Sequence, residues 1–149
     1  MSTIELHWRN RKIGTAQSPR RFLDLVIDGE SLYDKVGDFI SPLGWQSDSE
    51  NRKAVDRFLR RTESDFPGNR MSIFICPECG DLGCGAVSAV IEREGGNIVW
   101  RDFGYQNNYD DAVHREDLED LGPFTFNATE YYNEFIKALE TGDEKGETS

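Results

Sequence analysis

The run GAVSAVIEREGGNIVWRDFGY, residues 85–105, constrains the fold more than any other stretch of this chain. GAVSAVIERE and NIVWRDFGY are both strand-like, and Gly95-Gly96 joins them with a strong hairpin signal. An antiparallel pair of this length is expected near the centre of a sheet, and the rest of the sequence supplies its neighbours. TIELHWR alternates with the period of a half-buried strand: Ile4, Leu6 and Trp8 face one way, Thr3, Glu5, His7 and Arg9 the other. RFLDLVID is a second strand and ends at Asp28-Gly29, a tight-turn pair. SLYDKVGDFI fits a short strand or a helical turn, and MSIFIC is a short apolar strand.

Two segments carry helical spacing instead. Ser47 followed by Glu50 has the form of a capping box and opens a helix over 48–61, with Ala54, Val55, Phe58 and Leu59 as its apolar stripe. Arg52, Lys53, Arg57, Arg60 and Arg61 occupy its other face, and DFPGNR breaks it. Asn127 and Glu130 start a second helix, with Tyr131, Tyr132, Phe135, Ile136 and Leu139 at helical spacing and Gly142 as the stop. The segment between, YQNNYDDAVHREDLEDLGP, reads as a long polar loop with room for a helical turn. The expectation is one α+β domain over residues 1–142, a mostly antiparallel sheet with two helices on one face, followed by a polar, disordered tail over 143–149.

Length and charge narrow the function classes. With 149 residues the chain builds a core without help from disulfides. MSTIELHWRNRK lacks the apolar run of a signal peptide, and no stretch reaches membrane-helix length, so a cytoplasmic location without a membrane partner is expected. The formal charge of −11 argues against a general nucleic-acid binder, because phosphate is repelled. The basic helix face and the segment Arg9 to Arg21 leave nucleic-acid contact as the weakest of three readings.

The charge is unevenly spread. Residues 1–21 carry Arg9, Arg11, Lys12, Arg20 and Arg21 against Glu5, a net of +4. Residues 102–120 carry Asp102, Asp110, Asp111, Glu116, Asp117, Glu119 and Asp120 against Arg115, a net of −6.

All three cysteines fall in CPECGDLGCG, residues 76–85. An odd number excludes a closed disulfide framework, and clustered cysteines in a reducing compartment serve metal or redox roles more often. Cys76 and Cys79 have the spacing of one zinc knuckle, and Cys84 is a third candidate ligand. The fourth is open among His114, His7, Asp81 and Glu78, and the second CxxC of a full zinc ribbon is missing. A compact turn with three reduced thiols explains the stretch equally well. Thioredoxin-like chemistry fits poorly, because the following glycines do not start a helix and Glu78 and Asp81 raise a thiol pKa.

No catalytic set emerges. The chain holds two histidines, no GxGxxG, no P-loop and no GxSxG. What remains is surface. Tyr105 and Tyr109, with Asn107, Asn108, Asp110 and Asp111, mix aromatic anchors with polar groups as protein interfaces do. With Glu116, Asp117, Glu119 and Asp120 they form the candidate docking surface, while Trp100 and Phe103 are expected in the core.

The segment FICPECGDLGCGAVSAVIEREGGNIVWRDFGYQNNYDD, followed by GPFTF, resembles a small uncharacterised bacterial family over roughly residues 65–127. That resemblance brings no catalytic residues. The overall profile is similar to that of immunity proteins, small acidic proteins that neutralise a basic toxin domain, often a nuclease. It implies an inhibitor with no required cofactor whose acidic patch imitates phosphate and speeds encounter with its partner. The alternative expectation is a zinc-binding protein of regulatory or enzymatic role, with Cys76, Cys79 and Cys84 as ligands.

Overall fold

The computed structural model describes residues 1–11, 20–36, 39–76, 85–107 and 112–140. Strand β1 (Ile4–Asn10) pairs antiparallel with β2 (Arg21–Ile27), Ile4 opposite Ile27 and Asn10 opposite Arg21. Asp28 (φ 52°) and Gly29 (φ 81°) both sit in the left-handed region, and this two-residue turn leads into the two-residue β3 (Glu30–Ser31). The ambiguous segment that follows resolves as both candidates, because β3 runs directly into the short helix α1 (Leu32–Val36). A second sheet holds β4 (Arg70–Ile75), β5 (Ala86–Glu94), β6 (Asn97–Gln106) and β7 (Phe124–Asn127), each antiparallel to the next in chain order. The hairpin β5–β6 lies at its centre, as the sequence predicts.

The two sheets are joined at two places, through Ser2 and through the segment 40–43. Ser2 donates to Thr125 O at 2.8 Å and forms a parallel bridge with Phe126. Ile40 and Ile75 exchange two backbone bonds of 3.1 and 2.7 Å, and Leu23 N–H reaches Leu43 O at 3.0 Å. Backbone hydrogen bonds therefore link β4, β5, β6, β7, β1, β2 and the segment 40–43 in a circuit, with Ser2 making the step from β7 to β1. Where β1 diverges from β7, Glu134 accepts the Leu6 N–H at 2.9 Å.

Helix α2 (Asp48–Phe58) begins at Ser47, whose hydroxyl accepts the Glu50 N–H, and buries Ala54, Val55 and Phe58. It stops short of the expected residue 61. Arg60 adopts φ 58°, Arg60 N–H reaches Arg57 O and Arg61 N–H reaches Asp56 O, a Schellman closure that satisfies the last carbonyls three residues early. Helix α3 (Ala128–Glu140) is capped by Asn127, which accepts the Glu130 N–H at 3.1 Å. Asn51 of α2 donates to Ala138 O of α3 and accepts the Gly44 N–H, so a buried amide fastens the two helices.

Trp100 shows that both long helices cover one face of β6. Its ring lies 5.8 Å from Phe58 of α2 and 6.0 Å from Tyr131 of α3, with Phe126 of β7 at 5.3 Å. Its indole N–H donates to the Tyr131 hydroxyl at 3.1 Å, and that hydroxyl donates to Phe58 O at 2.6 Å. Each polar handle thus finds a partner inside the aromatic core. Burial pushes the Tyr131 hydroxyl well above its usual range, which keeps it a neutral donor. The apolar cluster joins residues from β1 through α3.

Two features depart from the expected outline. A third helix, the short α1, packs on β2, and FTFN, whose FTF the sequence reading leaves unassigned, forms the strand β7. β7 is only four residues long, and its place beside β6 supplies the pairing that its length alone does not announce.

Candidate functional site

Strict alternation along WRDF would put Trp100 and Phe103 on opposite faces, yet both are buried in one cluster. The register resolves the conflict. Ser88 pairs with Gly104 and Val90 with Arg101, so β6 carries one extra residue in a bulge. Asp102 occupies the bulge at φ 57°, a conformation that costs an L-residue on the order of 1 kcal/mol. Asp102 points away from the core, and two arginines converge on it.

Arg70 is 6% exposed and places its guanidinium among five acceptors. Its Nε donates to Ser88 Oγ at 3.2 Å and Gln106 Oε1 at 3.0 Å. Its two terminal nitrogens reach Asp102 Oδ2 at 2.9 Å, Asp102 O at 2.6 Å and Ser88 O at 3.3 Å. Arg115 grips the same carboxylate from outside, with Nε to Oδ1 at 2.5 Å and Nη2 to Oδ2 at 2.9 Å. The hydrogen bond from Arg115, ahead of the field of Arg70, holds the Asp102 carboxyl below the usual carboxylate range. Burial pulls the Arg70 guanidinium down from its ordinary value, and Asp102 opposes that pull.

This network holds the acidic turn. His114 exchanges two backbone bonds with Tyr105, at 2.7 and 2.8 Å, and Arg115 then clasps Asp102. Gly104 leaves room for the passage: a Cβ there would lie 2.5 Å from Val113 Cγ1 and 3.1 Å from His114 O. Leu118, 3% exposed, plugs into the core, and turn bonds run from Leu118 N–H to Arg115 O and from Leu121 N–H to Leu118 O. Glu116, Asp117, Glu119 and Asp120 surround that plug and are all exposed. None of these four carboxylates takes part in a salt bridge among the described residues.

The other expected docking residues divide. Tyr105 lies within β6, half-buried, with its ring 6.1 Å from Phe39, and Asn107 follows the strand end, also half-buried. Asn108, Tyr109, Asp110 and Asp111 lie outside the described residues.

Of the expected metal ligands, Cys76 is half-exposed at the end of β4, while Cys79 and Cys84 lie outside the described residues, as do Glu78 and Asp81. Ile75 and Ala86 are paired, so the two arms of CPECGDLGCG leave and return on adjacent strands. His7 is exposed, with Nε2 3.5 Å from Glu5, and His114 is exposed beside the Arg115–Asp102 clasp. Among the described residues no group of three or more His, Cys, Asp or Glu is arranged to hold a metal ion. No described helix is long and apolar enough to cross a membrane.

Sequence reasoning counted Asp102 and Arg115 only as charges and passed over Arg70, Ser88 and Gln106. The signal for Asp102 lay in the three-residue spacing of Trp100 and Phe103, which a two-residue period cannot bury on one face without a bulge. No family model, curated protein or solved structure matches the chain, so the functional reading rests on its own geometry.

Proposed function

We propose that this chain is a protein-binding module of immunity type, cytoplasmic, which neutralises a basic partner such as a toxin domain by docking through its acidic turn. One observation carries the reading. Four exposed carboxylates, Glu116, Asp117, Glu119 and Asp120, crowd five consecutive positions of a turn that Leu118 and the Arg115–Asp102–Arg70 clasp hold in place. Like charges so close repel one another, and a cationic surface relieves that repulsion. A turn held in advance also loses less conformational freedom on docking.

Native mass spectrometry on tagged protein recovered from its own cells at low salt tests the reading. A stoichiometric complex with a basic protein is expected, and reversing the four charges to lysine is expected to abolish it. A complex that survives the reversal unchanged would sink the proposal. Reversing Asp110 and Asp111 together is expected to slow association and flatten its dependence on salt.

A second reading is a zinc-binding protein of regulatory or enzymatic role, held by Cys76, Cys79 and Cys84. The pairing of Ile75 with Ala86 favours it, because it returns the two ends of the cysteine stretch to neighbouring strands. One zinc per chain by elemental analysis, released by a thiol reagent, is its expected signature. The two readings are compatible, since zinc would then be structural within a binding module.

A further inference from the structure

A surface cleft of about 230 Å³ opens where the β2–β3 turn faces the segment 120–124. Ile27 and Leu32, both buried, form its floor, with Leu121 and Phe124 half-buried along the wall. Its lip is acidic from two directions, Asp28 and Glu30 on one side and Asp120 on the other, residues about ninety positions apart in the chain. The volume lies below the ~300–1,000 Å³ usual for small-molecule pockets, so the space suits a single side chain better than a metabolite.

We infer that this cleft receives one long cationic side chain, arginine or lysine, of a basic protein partner. An aliphatic stem bearing a charged head matches an apolar floor beneath an acidic lip, because such side chains bury their methylenes and keep the head among polar groups. Asp28 keeps its charge near neutral pH. Backbone and side-chain hydrogen bonds from Thr3 and Ser2 hold Asp28 below the ordinary carboxylate range, and the Thr3 N–H lies 2.9 Å from its Oδ1. The chain already places a cation here: Lys35, also lining the cleft, sets its ammonium 3.3 Å from Glu30. Asp120 belongs to both the cleft and the acidic turn, so the inference rests on the docking role of that turn and adds what the partner inserts beside it.

The test is a ¹⁵N-NMR titration of the full chain with acetyl-arginine methylamide, compared with guanidinium chloride at equal concentration and ionic strength. Saturable shifts confined to residues 27–35 and 120–124, present for the arginine derivative and lacking for the bare guanidinium ion, are expected. Asp120→Asn should weaken binding by about two- to five-fold and Lys35→Met should tighten it by a similar factor, the range of one exposed ion pair. Shifts scattered over every acidic segment, or equal for both probes, would overturn the cleft. Changing Glu116, Asp117 and Glu119 to their amides should leave this titration nearly unchanged while weakening the complex with the protein partner. A turn that fails to dock and a cleft that fails to bind are therefore read in separate experiments.

Discussion

The two faces of β6 hold together by opposite means. Under the helices, Trp100, Phe103, Phe126, Tyr131 and Phe135 pack as one aromatic cluster with a single hydrogen-bond chain through it. On the far face, Arg70, Ser88, Gln106, Asp102 and Arg115 form a network of charge and hydrogen bonds. The aromatic face is non-directional and tolerates small shifts, so it supplies cohesion for the whole chain. The polar face works only if every donor meets its acceptor, so it specifies the place of one segment, the acidic turn.

Trp100→Ala should break the first face. Removing the ring and leaving a cavity is expected to cost about 3–5 kcal/mol in urea unfolding. A loss below about 1 kcal/mol would mean that the core is not centred there. Asp102→Ala attacks the second face and strands the Arg70 guanidinium. A buried pair broken on one side costs about 3–5 kcal/mol. Here about 2–3 kcal/mol is expected, because the aspartate is partly exposed and Ser88 and Gln106 still accept from Arg70. Hydrogen exchange separates the two variants: Trp100→Ala should loosen amides throughout, whereas Asp102→Ala should loosen chiefly residues 113–121. Uniform loosening by both would erase the distinction between cohesion and positioning.

Acid sharpens the contrast. The folded-state pKa of Asp102 is depressed, so its stabilisation is fully present above the unfolded value near pH 4 and is lost as pH falls through the folded one. The stability gap between the wild-type chain and Asp102→Asn should therefore hold steady from pH 7 to about pH 5 and shrink in stronger acid. A gap independent of pH would show that the carboxylate charge contributes nothing to the clasp.

Tyr131→Phe should cost about 1–3 kcal/mol, since it leaves the Trp100 N–H and the Phe58 carbonyl with one partner fewer while filling almost the same volume. Ser47→Ala, remote from both faces, should cost only about 1 kcal/mol through the lost cap of α2.

Much of the frame was legible because it is written in local terms. Gly95-Gly96 and Asp28-Gly29 mark hairpin turns, Ser47 and Asn127 cap helices, and Ala54, Val55 and Phe58 line up on one stripe, all by short-range rules. The early end of α2 was not legible, since Arg60 has no obvious preference for a left-handed conformation. Nor was the burial of Arg70, whose position before MSIFIC resembles any exposed strand-leading arginine. Its acceptors lie 18, 32 and 36 residues away, and only strand pairing brings them near.

By itself the sequence determined the hairpins, the two capped helices, the aromatic payload and the concentration of negative charge between residues 102 and 120. Each depends on neighbours a few positions apart, where backbone geometry allows few alternatives. Tertiary structure alone decided which face each aromatic takes across the β6 bulge, which carboxylate is clasped and which four, among the described residues, stay outside the clasp. It also brought Asp28 and Asp120 to opposite lips of one cleft. Those outcomes depend on strand register and on which chain segments meet, and register is set by the packing of the whole core.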